Sequence, residues 1–299
     1  MAFKVMVPLD GSSPAETSLV YLDALRSLGE TDVLLVSVVD DSEESPGLND
    51  SESRAREANL LTTYLQKVSS DVKLHLGVNV EAKVLPGSPA RVILDEADAY
   101  SPNLIVISSR GRSGIARWRL GSVADKVIRG AICNTLVVGT RAAERTSWRD
   151  ARIMEPFKAV LVPLDGSALA ESALPVAVDI AASYGSSLHL VRIVPIPVVT
   201  DGLGGEALYT PDLLDALVES AKTYLKDTAA GLNRPAVTAE VFIGAPAPAL
   251  EEYVTEHNID IVVMTSHGRG GFIRTALGSV TDRLLGGPAP VLVVRAQEA

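Results

Sequence analysis

Short apolar runs alternate with longer stretches of helical period along the chain. In the first half the β-rich runs fall at 5–9, 33–39, 72–84, 104–107 and 136–138, with helical patterns near 14–28, 52–68, 89–99 and 123–131 between them. Ser13-Pro14-Ala15-Glu16 reads as a capping box with proline at the first helical position. Ser88-Pro89 opens the third helix in a similar way. The second half repeats the alternation, with β-runs at 159–164, 188–194, 237–242, 259–264 and 291–294. Five apolar β-runs with helices between them predict a parallel sheet covered on both faces.

The two halves are copies of one design. Lys4-Val5-Met6-Val7-Pro8-Leu9-Asp10-Gly11-Ser12 returns as Ala159-Val160-Leu161-Val162-Pro163-Leu164-Asp165-Gly166-Ser167. Gly111, Gly121 and Ser122 return as Gly268, Gly278 and Ser279, and the closing Thr135-Leu136-Val137-Val138 as Val291-Leu292-Val293-Val294. A period this long means duplicated domains, because solenoid units run to only about 20–50 residues. The polar, charged stretch after Arg141 separates them, which gives domains over 1–145 and 155–299. The segments after the second strand differ most: 40–50 is acidic and turn-rich, 195–205 apolar and glycine-rich, which is how variable surface or a mobile cover reads. The expected architecture is α/β, two tandem doubly wound domains, each a five-stranded parallel sheet with helices on both faces.

Open α/β sheets bind ligands at the carboxyl ends of their strands, beside the switch in strand order. Three segments of each half converge there: Asp10 (and Asp165) after strand one, the exit of strand two near Val38 (and Ile193), and Ser108–Ser122 (and Thr265–Ser279) between strand four and the last helix. Gly111 and Gly114, with Gly268 and Gly271 in the second copy, permit a tight loop whose backbone N–H groups approach an anion. Gly121-Ser122-Val123 and Gly278-Ser279-Val280 enter a helix, where free N–H groups and the dipole attract phosphate. The Ser122 hydroxyl either caps that helix or donates to a phosphate oxygen. Asp10 and Asp165 have two readings as well, as turn formers or as holders of ribose hydroxyls or a hydrated Mg²⁺.

Composition sets limits on the chemistry. The 299 residues carry 27 Lys and Arg against 37 Asp and Glu, a balance that argues against general nucleic-acid or anionic-membrane binding. Within that acidic chain, Arg110, Arg112, Arg117 and Arg119 form a basic island, with Trp118 as a lid or packing residue; the second copy keeps only His267, Arg269 and Arg274. Such an island is a solvated face or an aid to anion binding. The single cysteine, Cys133, excludes an internal disulfide and a Cys-rich zinc site. Four scattered histidines give no metal-ligand spacing. The start of the chain does not read as a signal peptide, and no apolar run is long enough to span a bilayer, so a soluble cytoplasmic protein is expected. The P-loop pattern, the dinucleotide fingerprint after strand one and the G-x-S-x-G elbow are all missing.

Val-Pro-Leu-Asp-Gly-Ser at the start, Ser-Arg-Gly-Arg-Ser-Gly before Leu-Gly-Ser-Val, and the closing Leu-Val-Val resemble the universal stress protein family over nearly the whole chain, as a tandem pair. That family's ATP signature is Gly-x2-Gly-x9-Gly-(Ser/Thr). Gly111-x9-Gly121-Ser122 and Gly268-x9-Gly278-Ser279 match its second and third parts, while Ser108 and Thr265 stand in place of its first glycine. The resemblance implies two Rossmann-like domains, with adenine read near Val38 and Ile193, ribose by Asp10 and Asp165, and phosphates, accompanied by Mg²⁺, by the glycine loops and Ser122 or Ser279. It also implies pairing of 137–139 with 293–295 in an internal pseudo-dimer, with a homodimer as a further assembly. Three functions remain open on the sequence. One is a stress-response regulator that binds ATP in one or both domains, a second is a nucleotide-free scaffold for an unknown protein partner, and the third is a slow ATPase or phosphotransferase.

Overall fold

The first strand, β1 (Phe3–Pro8), is buried at consecutive positions: Val5, Met6 and Val7 are all fully enclosed. Because successive side chains point to opposite faces, both faces of the sheet are covered there. The computed structural model that shows this describes residues 2–26, 29–41, 51–110, 120–139, 157–196, 211–232, 234, 236–265 and 278–295. By its contacts the chain divides into two units, Met1–Pro156 together with Leu285–Ala299, and Phe157–Leu284. The expected separator at 145–155 lies outside the described residues, as do 42–50 and 197–210.

In the first unit β1 is followed by α1 (Ser13–Glu16), a 3-10 turn, α2 (Leu22–Arg26), β2 (Thr31–Val39), α3 (Ser51–Leu76), β3 (Asn79–Pro86), α4 (Pro89–Tyr100), β4 (Leu104–Ser108), α5 (Ser122–Gly130) and β5 (Asn134–Val138). Strand order is β3-β2-β1-β4-β5, all parallel, with Val5 opposite Val33 on one side and Leu104 on the other. The second unit holds β6 (Ala159–Pro163), α6 (Ala168–Glu171), α7 (Leu174–Tyr184), β7 (Ser187–Val194), α8 (Pro211–Gly231), β8 (Val237–Ile243), α9 (Pro246–Glu256), β9 (Ile261–Thr265) and α10 (Ser279–Leu284). Its order is β9-β6-β7-β8, again parallel. Each sequence repeat thus supplies five strands, and the α/β tandem architecture stands as expected.

The fifth strand of the second repeat, β10 (Val291–Val294), belongs to the first unit and runs antiparallel to β5. Val291 faces Val137 and Val293 faces Thr135, so the pairing is centred on Leu136 and Leu292 instead of the expected 137–139 with 293–295. The register is four residues away from that pairing: Arg295 lies beside Asn134, whose side chain accepts from its N–H at 2.9 Å, and Gly139 lies beside 285–287. Gly139 follows β5 at a close backbone approach, since a Cβ there would lie 3.0 Å from the carbonyl oxygens of both Leu285 and Gly287.

Two local expectations are corrected. The N-cap of α1 is Ser12, not Ser13: its hydroxyl accepts from the Ala15 N–H at 3.3 Å, with Pro14 in the first turn. The apolar alternation from Val72 reads as strand in the sequence, yet α3 continues to Leu76. Leu61, Leu65, Val68 and Val72 form one buried stripe at helical spacing, and that burial outweighs the local alternation. The helix stops at Gly77, whose φ of +64° suits the left-handed turn.

Candidate functional site

The strand order fixes where a crevice must lie. From β1 the chain moves to β2 on one side, and from β3 it crosses to β4 on the other, so order reverses between β1 and β4. The same reversal falls between β6 and β9. Side chains leaving those strand ends face a common space, which is the binding position of open α/β sheets.

Asp10 stands two residues beyond β1. Its Oδ1 accepts from the Ser12 N–H at 2.9 Å and from the Ser12 hydroxyl at 2.6 Å, while Ser12 caps α1. Asp165 repeats this, accepting from the Ser167 N–H at 2.9 Å beside a Ser167 cap on Ala170 at 3.1 Å. Gly11 and Gly166 lie between at φ +83° and +84°, a conformation glycine adopts without strain. The turn-forming role of both aspartates is therefore real, and it holds each carboxylate just beyond the carboxyl end of its strand. Val38 and Ile193 are half-buried near the ends of β2 and β7.

Ser108 and Thr265 end β4 and β9, and both are buried. Beyond Ser108, the Gly121 N–H donates to the Ser109 carbonyl at 2.8 Å, so the start of α5 is tied directly to the end of β4. A Cβ on Gly121 would meet that carbonyl oxygen at 3.2 Å. Gly121 itself is the N-cap of α5 and provides no side-chain cap, which leaves the first-turn amides of Ser122, Val123 and Ala124 without intrahelical acceptors. Ser122 is the exposed first residue of the helix, so the capping alternative falls away. Gly278 and Ser279 repeat the entry to α10, where the Asp282 N–H donates to the Gly278 carbonyl at 2.9 Å. Val123 and Val280 follow, both half-buried. Gly111, Gly114, Arg112, Arg117, Trp118 and Arg119 lie outside the described residues, as do His267, Gly268, Arg269, Gly271 and Arg274.

Two clusters escaped the reading of the sequence. On β7, the second unit has Arg192 at the register where the first has Ser37, whose buried hydroxyl donates to the Leu9 carbonyl at 2.7 Å. The other joins histidines that look scattered in the chain. Tyr253 of α9 donates its hydroxyl to Glu240 at 2.5 Å, lies 2.9 Å from His189 Nδ1, and stacks on His257 with ring centroids 3.8 Å apart. His189 Nε2 lies 3.0 Å from the Ser187 hydroxyl, so the neutral ring is fully partnered. Strand spacing and one helical turn create this cluster, and no linear motif announces it.

Burial holds the His189 pKa below its ordinary value, the neighbouring His257 pushes the same way, and Glu240 opposes both. A histidine lowered on folding gains protons more readily in the unfolded chain. Its stabilising contribution is therefore complete above the unfolded value near 6.5 and declines as pH falls through it. Replacing His189 by leucine, the residue at that register in the first unit (Leu34), is expected to flatten the loss of thermal stability between pH 7.5 and 5.5. Parallel melting curves of wild type and H189L test this; equal slopes would assign the acid sensitivity elsewhere.

A cavity of about 510 Å³ opens at the opposite end of the first sheet, lined by Asp32, Lys73, Asn79, Glu81 and Tyr100 among others. Three of its polar residues already serve one another, with Asn79 donating to the Asp32 carboxylate at 3.0 Å and Tyr100 to the Asp32 carbonyl at 3.3 Å. It is separate from the crevice. Among the described residues no cluster of three His, Cys, Asp or Glu side chains could hold a metal ion, and no helix is long and apolar enough to cross a membrane.

Parallel strands, a switch in order and a helix entry at the crevice define an open-sheet α/β protein of the doubly wound class, present twice. Within that class the match is specific: the model of the Universal stress protein family fits residues 1–139 and again 156–295. The chain belongs to the universal stress protein family as a tandem member. It is 29% identical over 249 residues to a universal stress protein of Mycobacterium tuberculosis, covering 82% of this chain and 77% of that one. A universal stress protein of Mycolicibacterium smegmatis is 26% identical over 306 residues, covering 98% and 97%. Among solved structures, a universal stress protein from Archaeoglobus fulgidus superposes with a TM-score of 0.70 at 20% identity, with 98% of each chain covered, a likeness of fold.

Proposed function

We infer that this universal stress protein binds ATP, accompanied by Mg²⁺, at the carboxyl ends of the strands in one or both units, and that occupancy serves as a regulatory signal in the stress response. The observation that carries the reading is the tie between Gly121 and Ser109, which sets the unpartnered amides of α5 beside the β1–β4 crevice where Asp10 is held. The fit is chemical. Amides and a helix dipole suit phosphate oxygens, a carboxylate at the strand end suits ribose hydroxyls, and a Cβ at Gly121 would sit tight against the Ser109 carbonyl oxygen at 3.2 Å. Asp10, Val38, Ser108, Gly121, Ser122 and Val123 would hold the nucleotide in the first unit, and Asp165, Ile193, Thr265, Gly278, Ser279 and Val280 in the second, with the two glycine loops contributing from Gly111, Gly114, Gly268 and Gly271. Bound Mg·ATP would supply a compact, partly neutralised phosphate chain, and its differential affinity for two states of the protein sets the size of any signal.

Ser108 and Thr265 favour one other reading, a nucleotide-free scaffold, because they stand where the family signature has glycine. Calorimetric titration of nucleotide-stripped protein with Mg·ATP separates the two. Two sites per chain would make both units sensors, and one would make the pair a sensor joined to a structural partner. No heat and no ATP-induced thermal shift from a folded sample would favour the scaffold.

A further inference from the structure

Arg192 occupies an unusual position for a cation in the second unit. It is half-buried on β7, one residue beyond the Val191 that pairs with Pro163 at the end of β6. Its guanidinium lies 5.0 Å from the centroid of the Tyr224 ring, a cation–π stack. The Tyr224 hydroxyl is in turn anchored, donating to Glu171 at 2.8 Å. Burial first, and then Glu171, push that phenol up to about 12, so the ring remains a neutral platform. On its other side the guanidinium covers Gly166: a Cβ on that glycine would lie 2.9 Å from Nη1 and 3.2 Å from Cζ. The side chain is thus fixed between the Tyr224 ring and Gly166, and among the described residues none accepts a hydrogen bond from it.

Gly166 directly follows Asp165, the carboxylate assigned above to the ribose. We propose that Arg192 makes the second unit selective for an adenine nucleotide that carries an additional phosphate on its ribose ring, at the 2′ or 3′ oxygen. This rests on the reading that the β6–β9 crevice binds a nucleotide. The chemistry is direct: a planar guanidinium reads a phosphate through two parallel N–H···O bonds, and α/β folds that accept a 2′-phosphate place an arginine beside the ribose-binding acid. The first unit lacks this device, because Ser37 stands at the same register and commits its hydroxyl to Leu9. The two crevices therefore differ in what they ask of the ribose: the first takes free hydroxyls and the second prefers a phosphate.

The test is calorimetry of the full chain with 5′-AMP, adenosine 2′,5′-bisphosphate and adenosine 3′,5′-bisphosphate, on wild type, R192S and R192K. One bisphosphate is expected to bind wild type at least tenfold tighter than 5′-AMP, at one site per chain, and the identity of that bisphosphate gives the position of the phosphate. R192S should bring the ratio close to one while changing 5′-AMP affinity less than twofold. R192K, which keeps the charge without the planar fork, should retain part of the preference and controls for loss of folding. Equal affinity of wild type for all three compounds would overturn the proposal. So would an R192S variant that loses 5′-AMP and bisphosphate alike, or one that binds both more tightly because the guanidinium had filled the ribose space. Absence of binding by every nucleotide, ATP included, would instead show that the underlying reading of the crevice is wrong.

Discussion

Replacing Gly121 by tryptophan is expected to remove nucleotide binding from the first unit while leaving the chain folded. The backbone permits the substitution, because Gly121 has φ −64° and ψ 146°, which any residue adopts. What it lacks is space. Its Cβ would point at the Ser109 carbonyl oxygen 3.2 Å away, and the Arg110 Cα lies at 3.9 Å. An indole must therefore spread over the end of β4, across the entrance to the α5 amides. Overpacking of this kind costs about 1–3 kcal/mol of stability, less than most domains have to lose. The calorimetric stoichiometry should fall by one site in G121W, and G121A should weaken that site with the stoichiometry retained. A folded G121W chain with unchanged stoichiometry would show that the phosphates lie elsewhere.

The sequence revealed what depends on local period and on repetition. Ten strands, the parallel α/β class and the tandem arrangement all follow from apolar runs that recur in register between halves, and the structure agrees. The turns at Asp10 and Asp165 were legible because a strand followed by Asp-Gly-Ser can end in few ways. Errors came where two periods compete: Val72 begins an alternating run, yet it closes the helical stripe that starts at Leu61. Ser13 looked like a cap because Pro14 and Glu16 follow at the usual spacing, but the hydroxyl one residue earlier reaches the Ala15 amide. Both cases turn on which group is buried or oriented, and a linear pattern carries neither.

Arg192 and the Tyr253 cluster belong to another class of omission. Their partners lie on different strands and helices, so spacing in the chain is blind to them. One signal was available. Placing the repeats in register sets Arg192 against Ser37 and His189 against Leu34, and a polar or charged residue facing a small or apolar one marks a position where the copies have diverged in chemistry. Duplication supplies the comparison that a single domain lacks. The geometry common to the two copies then describes what they share, and the mismatched positions describe where they differ.

Ending the chain at Leu284 is expected to destroy the first unit, although every residue removed belongs to the second sequence repeat. The reason is the placement of β10. Val291, Leu292, Val293 and Val294 are all buried, and three of them lie opposite β5 in an antiparallel ladder. Burial of each aliphatic side chain is worth roughly 1.5–3 kcal/mol, so losing four removes an amount comparable to the whole stability of a typical domain. Deletion would also uncover Leu136, Val137 and Val138 along an unpaired edge, which invites association with other chains. Hydrogen exchange read by mass spectrometry should show amides of 134–138 losing protection in the truncated protein, together with a fall in soluble yield. A milder variant isolates the contact. G139A keeps every residue and sets a Cβ 3.0 Å from two backbone carbonyls, those of Leu285 and Gly287, so it should raise exchange in β5 without uncovering an edge. Full protection of β5 in the chain ending at Leu284 would mean that β1 and β4 suffice to hold the first sheet, and that β10 adds no stability to it.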